Sequence, residues 1–177
     1  LIAYNVNFQY YPLNSKDEMA AQMNVINKIF VDHKSFAGKT IEDIMTKVSL
    51  DKAKKYTAET LSSGYIRNDD GNFSEFVVLP DAFQFAPIYT FNELKVNGKT
   101  KLILGGNSYK VNTYHGSYAA LKGLLVSDIN NFDDVSDFGI DPFHSQIKKI
   151  ETVEMKDKSL IFVVANNDAL KVYSYSK

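Results

Sequence analysis

Short apolar segments separated by polar turns dominate the chain after residue 61. The clearest is YIRNDDGNFSEFVV, in which Asp70 and Gly71 lie between two runs rich in strand-forming residues. An Asp-Gly pair in this position predicts a hairpin, because both residues tolerate the positive φ angles of a tight turn. Turn signals of this kind recur at spacings of about 8 to 12 residues, which predicts an antiparallel sandwich, barrel or propeller.

The hairpins also recur at a longer spacing. YIRNDDGNFSEFVV is similar to GLLVSDINNFDDV, and each unit has a phenylalanine just past its turn, at Phe73 and Phe132. FAPIYTFNEL with KLILGG recurs as IKKIETVEM with SLIFVVANN. Two hairpin types that alternate with a period of about 60 residues predict four-stranded blades. The predicted fold is mainly β, as the C-terminal blades of a β-propeller with four-stranded antiparallel blades and a three-helix insertion.

The apolar period becomes helical over residues 15–61. Ser15 and Glu18 have the spacing of a capping box at a helix start. An apolar stripe follows at helical spacing, formed by Met19, Met23, Ile26 and Phe30. A second helix is predicted from Thr40, and residues 49–61 (SLDKAKKYTAETL) predict a third with a weaker apolar face.

The first residues, LIAYNVNFQYY, have neither a Met nor a polar lead-in, which favours a fragment that begins inside a strand. The expected segments are an incomplete blade's strand at 1–14, the helical insertion at 15–61, the remainder of that blade at 62–82, a complete blade at 83–144 and a last blade at 145–177. Because an incomplete propeller has open strand edges, we expect the rest of the propeller or another chain to pair along Leu1–Asn5.

The composition argues against several classes of function. The chain has no cysteine, which excludes disulfides, thiolate metal sites and a cysteine nucleophile. Its net charge is −1 with scattered basic residues, so we expect no nucleic-acid partner. No apolar stretch approaches the roughly 20 residues of a membrane helix, so no membrane-spanning segment is expected. No nucleophile elbow, P-loop, dinucleotide fingerprint or HExxH motif is present.

One loop, YKVNTYHGSY, concentrates aromatic side chains. Its candidates for ligand binding are Tyr109, Tyr114, His115 and Tyr118. They are suited to an aromatic patch that binds a glycan or a peptide, because aromatic rings offer large, rigid contact area. The alternative is that they pack between strands and stabilise the turn.

A second loop is rich in carboxylates. Its members are Asp128, Asp133, Asp134, Asp137 and Asp141. Oxygen ligands of this kind suit a hard cation such as Ca²⁺. Their spacing matches no metal-binding loop, which favours a solvated acidic loop.

Several stretches together resemble one family. They are FQFAPIYTF at 83–91, KLILGGNSYKV at 101–111, GSYAALKGLLV at 116–126 and VVANNDALKVY at 163–173. The chain resembles the C-terminal portion of VCBS/FG-GAP repeat β-propeller proteins of the Bacteroidetes type, related to the ASPIC/UnbV group. The resemblance implies a propeller fold, export, and a location at the cell surface, the outer membrane or the periplasm. It implies no established chemistry.

In FG-GAP-type repeats the first hairpin loop binds Ca²⁺ through oxygens at its first, third, fifth and ninth positions. The corresponding residues here are Glu93, Lys95, Asn97 and Lys101, with Gly98 at the turn glycine. A lysine ammonium has no lone pair to give a cation. The resemblance therefore implies a degenerate calcium-type loop, with no metal or other cofactor in this chain and Ca²⁺ only in upstream repeats.

Asn166, Asn167 and Asp168 match the family pattern and are weak candidates for ligand contact. Side chains of this type also bond their own backbone, which favours a turn there. The predicted function is a non-enzymatic binding or scaffold module of an exported cell-envelope protein, which presents propeller loops to a protein or a glycan. The alternative is part of a polysaccharide-active or accessory propeller enzyme whose catalytic residues lie mostly upstream.

Overall fold

A computed structural model describes residues 1–45, 53–111 and 116–176. The protein is mainly β with several antiparallel sheets, which confirms the predicted class at that level. The chain divides into two compact units, Leu1–Ala58 and Glu59–Lys177.

The first unit begins with a hairpin of β1 (Ala3–Val6) and β2 (Gln9–Pro12). Asn7 and Phe8 form its turn, at φ angles of 49° and 64°. Four helices follow among the described residues. They are α1 (Lys16–Gln22), α2 (Val25–Ile29), α3 (His33–Phe36) and α4 (Ile41–Met45).

The helices are held by their caps and by a small apolar core. The predicted capping box is present, since the Ser15 hydroxyl accepts from the backbone N–H of Glu18 and the Glu18 carboxylate accepts from that of Ser15. The core consists of Met19, Ala20, Ile26, Phe30, Phe36, Ile44 and Met45. Burial of these side chains stabilises helices that are too short to be stable alone.

The helical boundaries differ from those predicted. The first predicted helix is interrupted at Met23 and Asn24, because Met23 has a φ of −136° and a ψ of 89°, outside the helical region. The predicted third helix is wrong over residues 53–61, which have no helix and are exposed. A segment with a weak apolar face gains too little burial to offset the entropy of ordering it. The rest of that prediction, residues 49–52, lies outside the described residues.

The second unit contains the remaining described strands. They are β3 (Gly64–Tyr65), β4 (Asn68–Asp69), β5 (Asn72–Phe73), β6 (Val77–Val78), β7 (Ile88–Val96), β8 (Lys99–Gly106), β9 (Leu124–Asp128), β10 (Asn131–Asp134), β11 (Ile147–Glu154), β12 (Lys158–Ala165) and β13 (Lys171–Ser176).

Strands β3 to β6 form the predicted hairpin at 64–78. β4 pairs with β5 around Asp70 and Gly71, and β3 pairs with β6 further out. Both turn residues have positive φ, and the Asn68 side chain accepts from the backbone N–H of Gly71. The side chain of Gln84 then ties the start of this hairpin to its end, because it bonds both Ser63 and the carbonyl of Leu79.

A four-stranded antiparallel sheet follows, in the order β10-β9-β8-β7. β7 and β8 form a long hairpin around Asn97 and Gly98, at φ angles of 50° and 73°. Since neighbours in sequence are neighbours in the sheet, the four strands form a simple meander.

A three-stranded sheet, β11-β12-β13, packs against one face of the meander. The apolar core includes residues of both sheets and of the segment that joins them. Its buried residues are Leu94, Val96, Ile103, Leu125, Val135, Ile140, Phe143, Ile147, Ile150, Ile161 and Val163. Alternation along the strands directs these side chains to one face of each sheet.

The opposite face of the meander is covered by the segment that precedes β7. Its buried cluster consists of Phe83, Ala86, Leu104, Leu121, Leu124 and Val126. The ring of Phe83 meets that of Phe132 edge-on, with the ring centres 5.0 Å apart. The meander therefore has apolar side chains on both faces.

Strands β7 and β11 meet through side chains. The Ile150 N–H donates to Thr90 Oγ1 at 3.1 Å, and its carbonyl accepts from Asn92 Nδ2 at 3.1 Å. Thr152 Oγ1 donates to the Glu93 carbonyl at 2.7 Å. The edges of the two sheets thus satisfy each other's backbone groups where no strand ladder connects them.

We expect Gly98 and Gly106 to be needed for different reasons. Replacing Gly98 with alanine should lower the free energy of unfolding by about 1 kcal/mol, because a Cβ is strained at positive φ. Replacing Gly106 with alanine should lower it by about 3 kcal/mol. A Cβ there would lie 1.8 Å from the Pro87 carbonyl oxygen, whereas nothing lies within 4 Å at Gly98. Urea unfolding followed by far-UV circular dichroism measures both losses.

Gly98→Asn is the matched control. Asparagine tolerates the left-handed region better than alanine, so it should recover part of the loss. Equal losses for alanine and asparagine would mean that backbone strain is not the cause.

Candidate functional site

The aromatic loop is anchored at both ends by the backbone. Ser108 and Tyr118 form an antiparallel bridge with hydrogen bonds of 2.8 and 2.9 Å. The Tyr109 hydroxyl donates to the carbonyl of His144. The rings of Tyr109 and Tyr118 are both exposed. The other two candidates in this loop, Tyr114 and His115, lie outside the described residues.

Asp168 follows β12 of the three-stranded sheet and lies beside the segment that contains His144 and Ser145. Its carboxylate accepts from the Ser145 hydroxyl at 2.5 Å and from the Ala169 backbone N–H at 2.8 Å. These two hydrogen bonds, Ser145 first, lower the pKa of Asp168 because they favour its charged form. The structure therefore brings Tyr109 and Asp168 to neighbouring residues, His144 and Ser145, although they are far apart in sequence.

Asn166 and Asn167 form the turn after β12. Asn167 has a φ of 54°, and the Asn166 N–H donates to the carbonyl of Gln146 at 2.8 Å. The turn places Asp168 beside Ser145. Asn166 therefore contributes a backbone hydrogen bond to this turn, and Asn167 contributes its positive φ angle.

Asn107 joins the chain segments of this region through hydrogen bonds of its side chain. It was not identified as a candidate residue from the sequence. Its side chain is completely buried. Its Nδ2 donates to the carbonyls of Phe143 and Ser145, and its Oδ1 accepts from the Leu121 N–H. The only sequence signal was a polar residue directly after the glycine pair that ends β8, at a φ of 77° in the structure. The contacts that define its role join residues remote in sequence.

The cleft beside Ser145 and Asp168 is too small for a glycan or a peptide. Its volume is about 10 Å³, which is room for about one water molecule. The bonds among Asn107, Ser145 and Asp168 thus brace three loops against each other. The exposed rings of Tyr109 and Tyr118 remain as surface that a ligand can reach.

The two lysines at ligand positions of the calcium-type loop both form ion pairs. Lys95 pairs with Glu154 at 3.0 Å, and Lys101 pairs with Asp133 at 2.8 Å. The Lys101 ammonium also lies 4.8 Å from the centre of the Phe138 ring, and its side chain is only 15% exposed. Glu93 contributes its backbone carbonyl to Thr152. At this position a lysine ammonium, itself a cation, neutralises the neighbouring carboxylate.

The five carboxylates of the acidic loop have separate surroundings. Asp128 accepts from the Asn130 N–H, Asp133 pairs with Lys101, and Asp141 accepts from the Tyr173 hydroxyl at 3.3 Å. Burial, and then the Asp141 charge, raises the pKa of Tyr173. No group of three or more His, Asp or Glu side chains in the part of the chain that the structure describes is placed to hold a metal ion.

A groove lies on the other face of the meander, and the sequence reading did not identify it. Its volume is about 480 Å³, within the range typical of ligand pockets. Its lining is Ala82, Phe85, Ala120, Leu121, Lys122, Leu124, Phe132, Asp133, Asp134 and Asp137. Three separate segments contribute to it, so no local pattern in the sequence predicts it.

Part of the same sheet face is open. Phe91 pairs with Leu104 and Glu93 with Leu102, so Phe91, Leu102 and Leu104 share a face. Leu104 is buried by the covering segment, whereas Phe91 is 67% exposed and Leu102 is 38% exposed. We call this apolar surface, which consists of Phe91 on β7 and Leu102 on β8, the open face.

Comparisons with known proteins add no relative: no protein-family model, no curated protein and no solved structure matches the chain. The resemblance to VCBS/FG-GAP repeat proteins stays a prediction. Within the described residues, no helix combines the length and the apolar character needed to cross a membrane.

We expect Lys101 and Asp133 to be energetically coupled. Lys101→Met should lower the free energy of unfolding by about 2 kcal/mol, because it leaves Asp133 without its charged hydrogen-bond partner. In a double-mutant cycle with Asp133→Asn, the coupling energy should be about 1 kcal/mol. Urea unfolding of the four proteins gives this value.

The exposed pair Lys149 and Glu151, 2.8 Å apart, is the matched control. Its coupling energy in the corresponding cycle should be below about 0.5 kcal/mol, because solvent screens exposed charges. Equal coupling in the two cycles would contradict a special role for Lys101.

The Ser145 hydroxyl should hold the pKa of Asp168 down. Ser145→Ala is expected to raise that pKa toward its ordinary value, as measured by carbon-detected NMR titration of the carboxyl group. Because the folded pKa is the lower one, the contribution to stability is complete above the unfolded pKa. It is lost as the pH falls through the folded pKa.

Ser174→Ala, on the exposed side of β13, is the control for this titration. It should leave the Asp168 titration unchanged. An unchanged pKa in Ser145→Ala would show that the hydroxyl does not stabilise the charged form.

Proposed function

We propose that the chain is part of a β-propeller of the VCBS/FG-GAP type and acts as a non-enzymatic binding or scaffold module. In this proposal the module belongs to an exported cell-envelope protein at the cell surface, the outer membrane or the periplasm. Its loops and open sheet face bind a protein or a glycan. The export and the location rest on the resemblance of the sequence stretches described above.

The contacts between the two sheets support a repeated architecture. Thr90 bonds Ile150, which is 60 residues later, and Lys95 pairs with Glu154, which is 59 residues later. Corresponding positions of the two long hairpins thus lie side by side. Side-by-side packing of equivalent hairpins is what radially repeated four-stranded units require.

The observation that carries the binding function is the open face of the meander. Phe91 and Leu102 are apolar, exposed and lie on one face of the neighbouring strands β7 and β8. An exposed aromatic ring beside an exposed leucine offers apolar surface that another molecule can cover. The remainder of a propeller or another chain would bury it, and an exposed aromatic ring also stacks on the apolar face of a sugar.

The surroundings of the acidic residues favour binding over catalysis. Asp133 and Asp134 are consecutive in β10, so their side chains point to opposite faces of the sheet. Asp133 is neutralised by Lys101. The two carboxylates therefore do not flank a common bond, as glycoside hydrolysis requires.

We expect the open face to contact a partner in the cells that produce the protein. A photo-crosslinking phenylalanine at position 91 should give a specific crosslinked species. The same residue at position 73, where Phe73 is 72% exposed on the short hairpin, is the matched control. Gel electrophoresis and mass spectrometry identify the product.

A glycan array and a polysaccharide-hydrolysis screen cover the other outcomes. Binding without turnover supports the proposal. Turnover that is lost in Asp133→Asn or Asp134→Asn would establish the enzymatic alternative. Equal crosslinking at positions 91 and 73, together with no glycan binding, would refute the binding function.

A further inference from the structure

We propose that the groove lined by Phe85, Leu121, Leu124 and Phe132 binds an arginine side chain of a partner protein. This inference rests on the proposed binding function and adds the chemistry of the ligand. The groove residues all belong to the second unit, between residues 82 and 137.

The groove has an apolar and aromatic floor. Leu121 and Leu124 are almost completely buried beneath it, and Phe132 is held against Phe83 by an edge-on ring contact. The ring of Phe85 is 57% exposed on the wall. The floor is therefore rigid, and one aromatic face is available for stacking.

The groove also carries an excess of negative charge. Asp133 is compensated by Lys101, which approaches it from the opposite face. Asp134 and Asp137 have no ion pair or side-chain hydrogen bond among the described residues, and Asp134 does not cap the turn that follows it. Lys122 is the one cationic side chain in the lining, against two uncompensated carboxylates.

An arginine side chain fits both properties. Its methylene stem covers apolar surface, its planar guanidinium stacks on an aromatic ring, and its N–H groups match a carboxylate in a two-point hydrogen bond. A neutral glycan would stack on the Phe85 ring, but it would carry no positive charge to pair with Asp134 and Asp137. A volume of about 480 Å³ accommodates one such side chain and its flanking residues.

The test uses a matched pair of peptides. Acetyl-Leu-Arg-Leu-amide and acetyl-Leu-citrulline-Leu-amide have the same shape, and only the first is charged. In ¹⁵N-resolved NMR titrations of the full chain, we expect the arginine peptide to shift the amide signals of residues 120–124 and 132–137. It should bind about fivefold more tightly than the citrulline peptide.

Two variants locate the interaction. Asp134→Asn with Asp137→Asn should remove the preference for arginine over citrulline, and Phe85→Ala should weaken both peptides. The matched controls are Asp70→Asn with Asp157→Asn, and Phe73→Ala, which change exposed residues elsewhere. The controls should bind as the unaltered protein does, and dispersed NMR spectra establish that each variant is folded.

Equal affinity for the two peptides, or signal shifts outside the groove, would overturn this inference. A preference for arginine that survives the double aspartate substitution would overturn it as well. A crosslink at position 91 without arginine binding in the groove would leave the proposed binding function intact. Failure of the crosslinking and array experiments would remove that function instead.

Discussion

Ile150 lies where the two large sheets of the second unit meet. Its side chain is fully buried among residues of both sheets, and its N–H and carbonyl are taken by Thr90 and Asn92. Apolar burial stabilises the contact without fixing its register, whereas directional hydrogen bonds fix the register. Because both act at Ile150, this residue fixes the register of β11 against β7.

The segment that joins the two sheets carries the other features of interest. Phe143 is buried between the sheets, and its carbonyl and that of Ser145 accept hydrogen bonds from the side chain of Asn107. The same asparagine fixes Leu121, which forms the floor of the groove. One buried polar side chain thus links the inter-sheet core to the groove on the opposite face. A buried amide with three partners stabilises such an arrangement because each lost bond leaves an unsatisfied group.

The candidate residues show where sequence reasoning stops. Asn97 and Gly98 were identifiable because a two-residue turn requires positive φ, which is a local property. The lysine at position 101 was identifiable as a poor calcium ligand from its chemistry alone. Its partner Asp133 was not, since their contact joins strands that are separated by a long connection. The groove and the bracing role of Asn107 depend on several such contacts and leave no pattern in the chain.

The sequence by itself determined the hairpins, the capping box at Ser15 and the mainly β class, because turns, caps and alternation act over a few residues. Only the tertiary structure decided which helical stretches persist, since burial of Ile26 and Phe30 supports a broken helix while the exposed residues 53–61 form none. It also decided how the sheets pair and where the apolar face stays open. Those outcomes depend on contacts between distant residues, whose energies no local pattern records.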